Sequence, residues 1–275
     1  MHIGLSLGIN NPILRTSSGG VTPPLDDYTG AQTAWSVARK LRTAYSGSLI
    51  RVRRDSDNAE QDIGFDGNGN LDESALTTFV GANSGYVTTA YDQSGNANDW
   101  TQATSSEQPR IVDAGTVEKV NGKPAYRCIY SIPTNQGLVS TITGGATSTI
   151  FSVTKFISGI TVSFCDDTHT DYFGVSANSS SSNSYAFAGS PLNYVNSSLI
   201  GNTRDDLYTA AINNQILLSV TDLNLTSWSA MKSGYINTTN FKSNDYYQEV
   251  ILYNSDKSSD RTAIETNIND YYGIY

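Results

Sequence analysis

Cysteine, histidine and charge are all scarce in this chain. Two cysteines, Cys128 and Cys165, occur in 275 residues. Two are too few for a disulfide framework, which leaves a single bridge or a pair of buried thiols. The two histidines are His2 and His169. No Ser-His-Asp order, phosphate-cradling glycine loop or cysteine-rich zinc spacing is visible. His169 lies near Asp166, Asp167 and Asp171, and the preferred reading of that stretch is a solvated acidic loop. Charged residues make up 16% of the chain, with 17 basic against 26 acidic residues and a net charge of −9. The one dense basic spot, Arg51, Arg53 and Arg54, is followed at once by Asp55, Asp57, Glu60 and Asp62. Without a basic stripe to neutralise phosphates, nucleic acid is excluded as a partner. No apolar stretch approaches the length of a membrane span.

What is abundant is Ser, Thr, Asn and Gly, together with 17 tyrosines. Asn, Gly and Ser supply turn conformations, so the composition suits many short strands joined by turns. Tyrosine, with an apolar face and a polar tip, suits wet recognition surfaces. The opening MHIGLSLGINNP lacks a cationic start, and Asn10, Asn11 and Pro12 cut its apolar run short, so it is not read as a signal peptide. Residues 1–26 read as an attachment arm and residues 27–275 as one domain. A protein built for the outside world without a secretion address suggests a virion component made in a host cytoplasm. A processed secreted protein is the alternative.

The segment 29–47 carries Ala31, Ala34, Trp35, Ala38, Leu41 and Ala44 three and four residues apart, which predicts an amphipathic helix. SLIRVRR alternates as a strand, with Ile50 and Val52 opposed to Arg51 and Arg53. Arg51, Arg53 and Asp62 are expected to form an ion pair between neighbouring strands. DESALTTFVG predicts a short helix capped by Asp72 or Ser74. Strands rich in Tyr, Val, Thr and Ile recur from Gly85 to Tyr253. The tail SSDRTAIETNINDYYGIY predicts a closing helix with Ile264, Ile268 and Tyr271 or Tyr272 along one side. Many strands with a few helices make a mainly β sandwich the expected fold class.

Two loops invite a functional reading. In YDQSGNANDW, Asp92, Gln93, Asn96 and Asn98 offer groups for sugar hydroxyls, and Trp100 a stacking surface. The competing reading has Asp92 capping turn amides, Gly95 at positive φ, and Tyr91 and Trp100 in the core. In DGNGNLDE, Asp66, Asn68, Asn70 and Asp72 space oxygens as calcium loops do. Leu71 and Thr77 stand where an EF-hand needs Gly and Glu, so a turn leading to a helix cap competes with Ca²⁺ as a cofactor.

Three stretches, 44–65, 86–104 and 108–127 with its QPRIV and NGKPAYR, resemble the catalytic domain of fungal α-L-arabinofuranosidase B, family 54 of the glycoside hydrolases. The resemblance implies a concanavalin A-like β-sandwich (jelly roll). The same block resembles modules of phage virion proteins. Residues 246–272 resemble the closing strand and helix of laminin-G-like lectin domains. The family's catalytic Glu precedes a strand whose counterpart here is SYAFAG, preceded by Asn183 and Ser184. Its catalytic Asp has Asp245 as nearest counterpart, without the Gly-Asp context. Its adjacent cysteines have only Cys165-Asp166-Asp167. With the acid pair unmatched, the reading reached is a phage virion protein, a head fibre, decoration or tail-associated adhesin. It would sit at the virion surface, joined to other virion proteins through its arm, as a symmetric homo-oligomer such as a trimer that binds glycans without cleaving them. The alternative is an active arabinofuranosidase-like hydrolase in which Asp245 or Glu249 pairs with Asp166 or Asp167.

Overall fold

The computed structural model describes residues 21–129, 136–157, 160–166, 172–181, 184–185, 191–234 and 245–275. The strands are, in chain order, β1 (Ala31–Ser36), β2 (Ile50–Arg54), β3 (Glu60–Ile63), β4 (Gly85–Ala90), β5 (Trp100–Thr101), β6 (Arg110–Asp113), β7 (Thr116–Val117), β8 (Lys119–Val120), β9 (Lys123–Pro124) and β10 (Tyr126–Arg127). They continue with β11 (Val139–Thr141), β12 (Ser148–Lys155), β13 (Ile160–Cys165), β14 (Tyr172–Ser176), β15 (Ser184–Tyr185), β16 (Leu192–Val195), β17 (Ser198–Ile200), β18 (Gln215–Leu223), β19 (Ala230–Ser233) and β20 (Tyr246–Tyr253). Four helices accompany them: α1 (Pro24–Asp27), α2 (Glu73–Val80), α3 (Arg204–Ala211) and α4 (Arg261–Tyr272). The mainly β sandwich expected from the sequence is what forms.

β20 organises the fold. One flank pairs with β12 along the whole strand. The other flank is shared, with β1 alongside Glu249 to Tyr253 and β10 alongside Tyr246 and Tyr247. From β12 the sheet runs on through β18 and β16 to β17. From β10 it runs through β6 to β4. From β4 it returns through β5, β11, β19, β13 and β14 as the opposing layer. Between the layers lies a core that includes Trp35, Val87, Trp100, Tyr126, Ile150, Phe164, Phe173, Leu218, Val250 and Leu252.

The alternate residues of β20 and β12 face outward and are covered by α4. Phe151, Val153, Leu217, Ile251 and Tyr253 join Ile264, Ile268, Tyr272 and Leu25 in a second cluster. A strand buried on both faces loses its polar alternation, which explains why β20 reads as the apolar run YYQEVILY. Leu25 and α1 therefore belong to this layer. Of the arm read over residues 1–26, residues 1–20 lie outside the described residues.

The helix expected over 29–47 does not form. Residues Ala31–Ser36 are a strand in which every residue but Gln32 is buried. Trp35 enters the inner core while Ala34 lies under α4, so the small residues report two buried faces rather than one helical stripe. Both predicted helices in the chain's later course do form. The Asp72 carboxylate caps α2 by accepting from the Ala75 N–H at 2.9 Å. α4 ends at Gly273, whose φ of 61° is the left-handed cap that glycine adopts without penalty. α3 has the capping box Thr203–Asp206, a T-x-x-D signal the sequence reading did not use. No helix among the described residues is long and apolar enough to cross a membrane.

Candidate functional site

The pairing of β10 with β20 sets Tyr126 opposite Tyr247. Two residues earlier on β20's side, the Cys128 N–H donates to the Asp245 carbonyl at 2.9 Å. Asp245 is buried, and its Oδ1 accepts from the Ile157 N–H at 3.0 Å. A carboxylate is thereby held at the end of the sandwich where β20 begins, β10 has just ended and β12 has just passed.

Aromatic rings form the floor behind it. Tyr126 stacks on Trp35 at 5.3 Å between centroids and lies 5.5 Å from Tyr247. The Tyr126 hydroxyl is 2.8 Å from Ser233 Oγ, and the Tyr247 hydroxyl donates to the Ser163 carbonyl at 3.2 Å. Each phenol thus reaches across the core to the opposing layer, as buried tyrosines must to satisfy their hydroxyls. Burial drives both phenol pKa values well above the ordinary range, and for Tyr247 the charge of Asp245 adds to it. Both rings stay neutral and act as fixed walls. Cys128 and Cys165 are buried and not bridged, and burial pushes the Cys165 thiol up as well.

The remaining carboxylates singled out from sequence have different surroundings. Glu249 takes two hydrogen bonds from Arg39, Nε to Oε2 and Nη2 to Oε1, each 2.8 Å. The Tyr272 hydroxyl donates to Glu249 Oε2 at 3.0 Å. This carboxylate points under α4, away from the inner core, and is spent on a guanidinium. Asp166 is buried just past β13, where Cys165 is flanked by Tyr172 and Lys232. Asp167 and His169 lie outside the described residues, as do His2 and Asn183.

The YDQSGNANDW loop is tied to β1. Asp92 accepts from the N–H groups of Ala34, Ser94 and Asn98 at 2.8, 2.9 and 3.0 Å, and from the Ser94 hydroxyl at 2.6 Å. Gln93 accepts from the Leu41 N–H and donates to the Arg39 carbonyl. The Asn96 amide donates to the Ala31 and Gln32 carbonyls, and the Asn98 amide to that of Gln32. Trp100 is buried and donates to Thr33 Oγ1 at 3.0 Å. Gly95 has φ +98°, and a Cβ there would meet Arg42 Nη1 at 2.5 Å. These side chains build a rigid brace.

In the 66–72 loop, Asp66 Oδ1 accepts from the N–H groups of Asn68 and Asn70, and Asp72 caps α2. These hydrogen bonds hold the Asp66 pKa below the usual carboxylate range, against the opposing effect of burial. Among the described residues no three His, Cys, Asp or Glu side chains group as metal ligands do. Arg51 and Asp62 do pair across β2 and β3, at 2.7 Å. Arg53 instead donates to Gln108 and Asn58.

Sequence reasoning did not foresee the Trp35–Tyr126–Tyr247 floor or the Arg39–Glu249 pair. The alternation of Ala34, Trp35 and Ser36 was the available signal. It was masked by the alanine spacing.

Residues 25–155 match the family model described as alpha-L-arabinofuranosidase B, catalytic. The probable alpha-L-arabinofuranosidase B of Aspergillus fumigatus is 32% identical over 158 residues, covering 51% of this chain and 31% of the relative. The alpha-L-arabinofuranosidase B of Aspergillus oryzae is 30% identical over 174 residues, covering 56% and 34%. The chain thus spans about a third of the length of these curated relatives. Among solved structures, an arabinofuranosidase complexed with arabinofuranosyl-alpha-1,2-xylobiose superposes with a TM-score of 0.59 at 16% identity, over 92% of this chain and 66% of that one. A GH54 α-L-arabinofuranosidase soaked with a cyclic sulfate inhibitor gives the same values. At that identity the likeness establishes the fold.

These matches correct the virion reading. The relatives and solved structures named here are arabinofuranosidases, and none is a virion, capsid or tail-fibre protein. The reading had rested on the N-terminal arm, the lack of a signal peptide, the resemblance to virion modules and the unmatched acid motifs of the C-terminal half. The family model runs on into β12, and the shared fold extends over that half too. The virion-surface location falls with it.

Proposed function

We propose that this chain is a glycoside hydrolase domain acting on α-L-arabinofuranosides. The observation that carries the reading is the match of residues 25–155 to the catalytic family model, on a chain that superposes over 92% of its length on an arabinofuranosidase. Asp245 is the carboxylate assigned to the reaction. It is buried at one end of the sandwich, oriented by the Ile157 N–H, and backed by neutral aromatic walls. That hydrogen bond fixes the carboxyl group in one orientation, as a general acid or nucleophile requires. Glu249 is removed from consideration by its bidentate partner Arg39. Retaining hydrolysis needs a second carboxyl group about 5–5.5 Å from the first, and Asp166 is the candidate to test for it. A processed secreted protein, the alternative read from the sequence, suits such a hydrolase.

Release of 4-nitrophenol from 4-nitrophenyl α-L-arabinofuranoside by the purified chain tests the reading. The wild type is expected to turn over and Asp245→Asn to lose the activity. A wild type without turnover on this substrate, or an Asp245→Asn variant with full activity, sinks the assignment.

A further inference from the structure

Among the described residues three large hydrophobic side chains stay exposed, Leu192, Leu199 and Tyr275, with Leu199 the most open at 61%. Single exposed leucines are ordinary, but these three share one patch. Leu192 and Tyr194 are two apart on β16 and so face the same way, and Tyr194 stands opposite Leu199 on β17. The Tyr275 hydroxyl lies 3.0 Å from Ser197 Oγ, in the turn that joins the two strands. Val195 enters the inner core and Ile200 packs against it, so Leu192, Tyr194 and Leu199 face the outer side, beside α4. There the Arg261 guanidinium lies 3.7 Å from the Tyr194 ring centroid. Leu207 and Ala211 of α3 belong to the inner core, while the outer face of the β16–β17 hairpin stays bare.

The hairpin also ends the sheet. Among the described residues β17 pairs with β16 alone, so its far side offers backbone N–H and C=O groups to a further strand. Natural edges are guarded by charge or proline, and Ser198–Ile200 has neither. The chain itself carries a segment of the right pattern. In MHIGLSLGI, Ile3, Leu5, Leu7 and Ile9 alternate with Gly4, Ser6 and Gly8, which gives a strand one apolar side and one small side. The segment is also within reach. The Thr22 carbonyl accepts from Asn267 Nδ2 at 2.8 Å, and the Ser197 hydroxyl donates to Glu265 Oε2 at 2.6 Å. Asn267 and Glu265 are two residues apart on α4, so Thr22 and Ser197 are separated by little more than the width of a helix, about 10–12 Å. Residues 10–21 can extend to about 40 Å. A tether that short gives an effective concentration on the order of millimolar, which favours the chain's own segment over a second copy's.

We propose that residues 3–9 dock as a strand along the free edge of β17, with their apolar side packed against Leu199 on the outer face. Backbone pairing supplies the attachment and the alternate side chains fix the register, as in strand addition to any open sheet edge. The inference does not depend on the hydrolytic reading, because none of its residues belongs to the Asp245 site.

Hydrogen–deuterium exchange on the full chain, read by mass spectrometry, tests it. The amides of residues 3–9 are expected to exchange roughly tenfold or more slowly than in a free peptide of the same sequence. The double variant Leu5→Asp, Leu7→Asp is expected to abolish that protection and to speed exchange at 198–200, with β12 and β20 exchanging as in the wild type. Leu199→Asp, at an exposed position, is expected to abolish the protection of 3–9 from the other side of the contact. Free exchange of 3–9 in the wild type overturns the proposal, and so does protection that survives either variant. Co-expressing the two variants pairs an intact segment on one chain with an intact edge on the other, and no protection is expected to return. Restored protection of the intact segment assigns it to a second copy's edge and overturns docking within one chain.

Discussion

Arg39 and Glu249 meet through two 2.8 Å hydrogen bonds although 210 residues separate them, with the Tyr272 hydroxyl closing on Glu249 and Asn267 on Arg39. Their side chains are only 4% and 1% exposed. A pair so buried repays its desolvation only while it is complete. Glu249→Ala is therefore expected to cost about 3–5 kcal/mol by leaving a guanidinium unpaired in the interior. The double variant Arg39→Met, Glu249→Leu is expected to cost much less. Urea denaturation of the three proteins checks both statements.

Asp245→Asn and Glu249→Gln are expected to separate chemistry from stability. Asp245→Asn keeps the acceptor for the Ile157 N–H and should retain its unfolding midpoint while kcat falls by roughly 10²–10⁴. Glu249→Gln should lower the midpoint and leave kcat of the folded fraction in place. Initial rates on an arabinofuranoside, set beside denaturation curves, read out the contrast.

Asp92→Ala is expected to destabilise the domain by about 3 kcal/mol or more. It strips an acceptor from three N–H groups and a hydroxyl in a buried brace, and each abandoned donor costs about 1–3 kcal/mol. Asp92→Asn should cost less, since its one carbonyl oxygen still serves part of the set. Gly95→Ala is also expected to be destabilising, because φ is +98° there and the new methyl group would collide with Arg42. Chemical denaturation at neutral pH measures all three.

The alkaline limb of stability should be set by tyrosines. Burial, and then the neighbouring Asp62, raise the Tyr91 phenol to about 12. Burial also raises Tyr126, Tyr247, Tyr253, Tyr271 and Tyr272. A phenol that holds its proton more tightly when folded stabilises the fold fully below the unfolded value near 10. That stability is lost as pH rises through the folded value. Absorbance of tyrosinate is expected to show a group of residues that ionise only above about pH 10, together with unfolding. If all 17 tyrosines titrate in one step near 10, these rings are not buried as described.

Much of the fold was legible because its signals are local. SLIRVRR, the Asp72 cap and the Ile264–Ile268–Tyr272 stripe each state their structure within a few residues. The run at 31–44 was misread for a physical reason. A strand buried on both faces carries small residues where a half-exposed one would carry polar ones, and small residues recur at helical spacing by accident. The candidate site was less legible still. Trp35, Tyr126, Cys128, Ile157, Asp245 and Tyr247 are brought together by pairings between distant strands, and no window of sequence contains them. The roles of Asp92 and Asn98 could be posed from sequence, as brace or as ligand, but their partners, the Ala34 N–H and the Gln32 carbonyl, lie some sixty residues upstream.

The shared flank of β20 bears on how the chain reaches its native state. Its neighbours β1 and β12 come from the beginning and the middle of the described chain, and β20 must wait between them. During synthesis the earlier strands emerge with a slot missing from their centre, and neither the inner core nor the layer under α4 can close until β20 and α4 have left the ribosome. Contacts of such long range are slow to form. Nascent chains arrested before Tyr246 should therefore remain open to protease, a vulnerability that ends abruptly, not gradually, once β20 and α4 emerge.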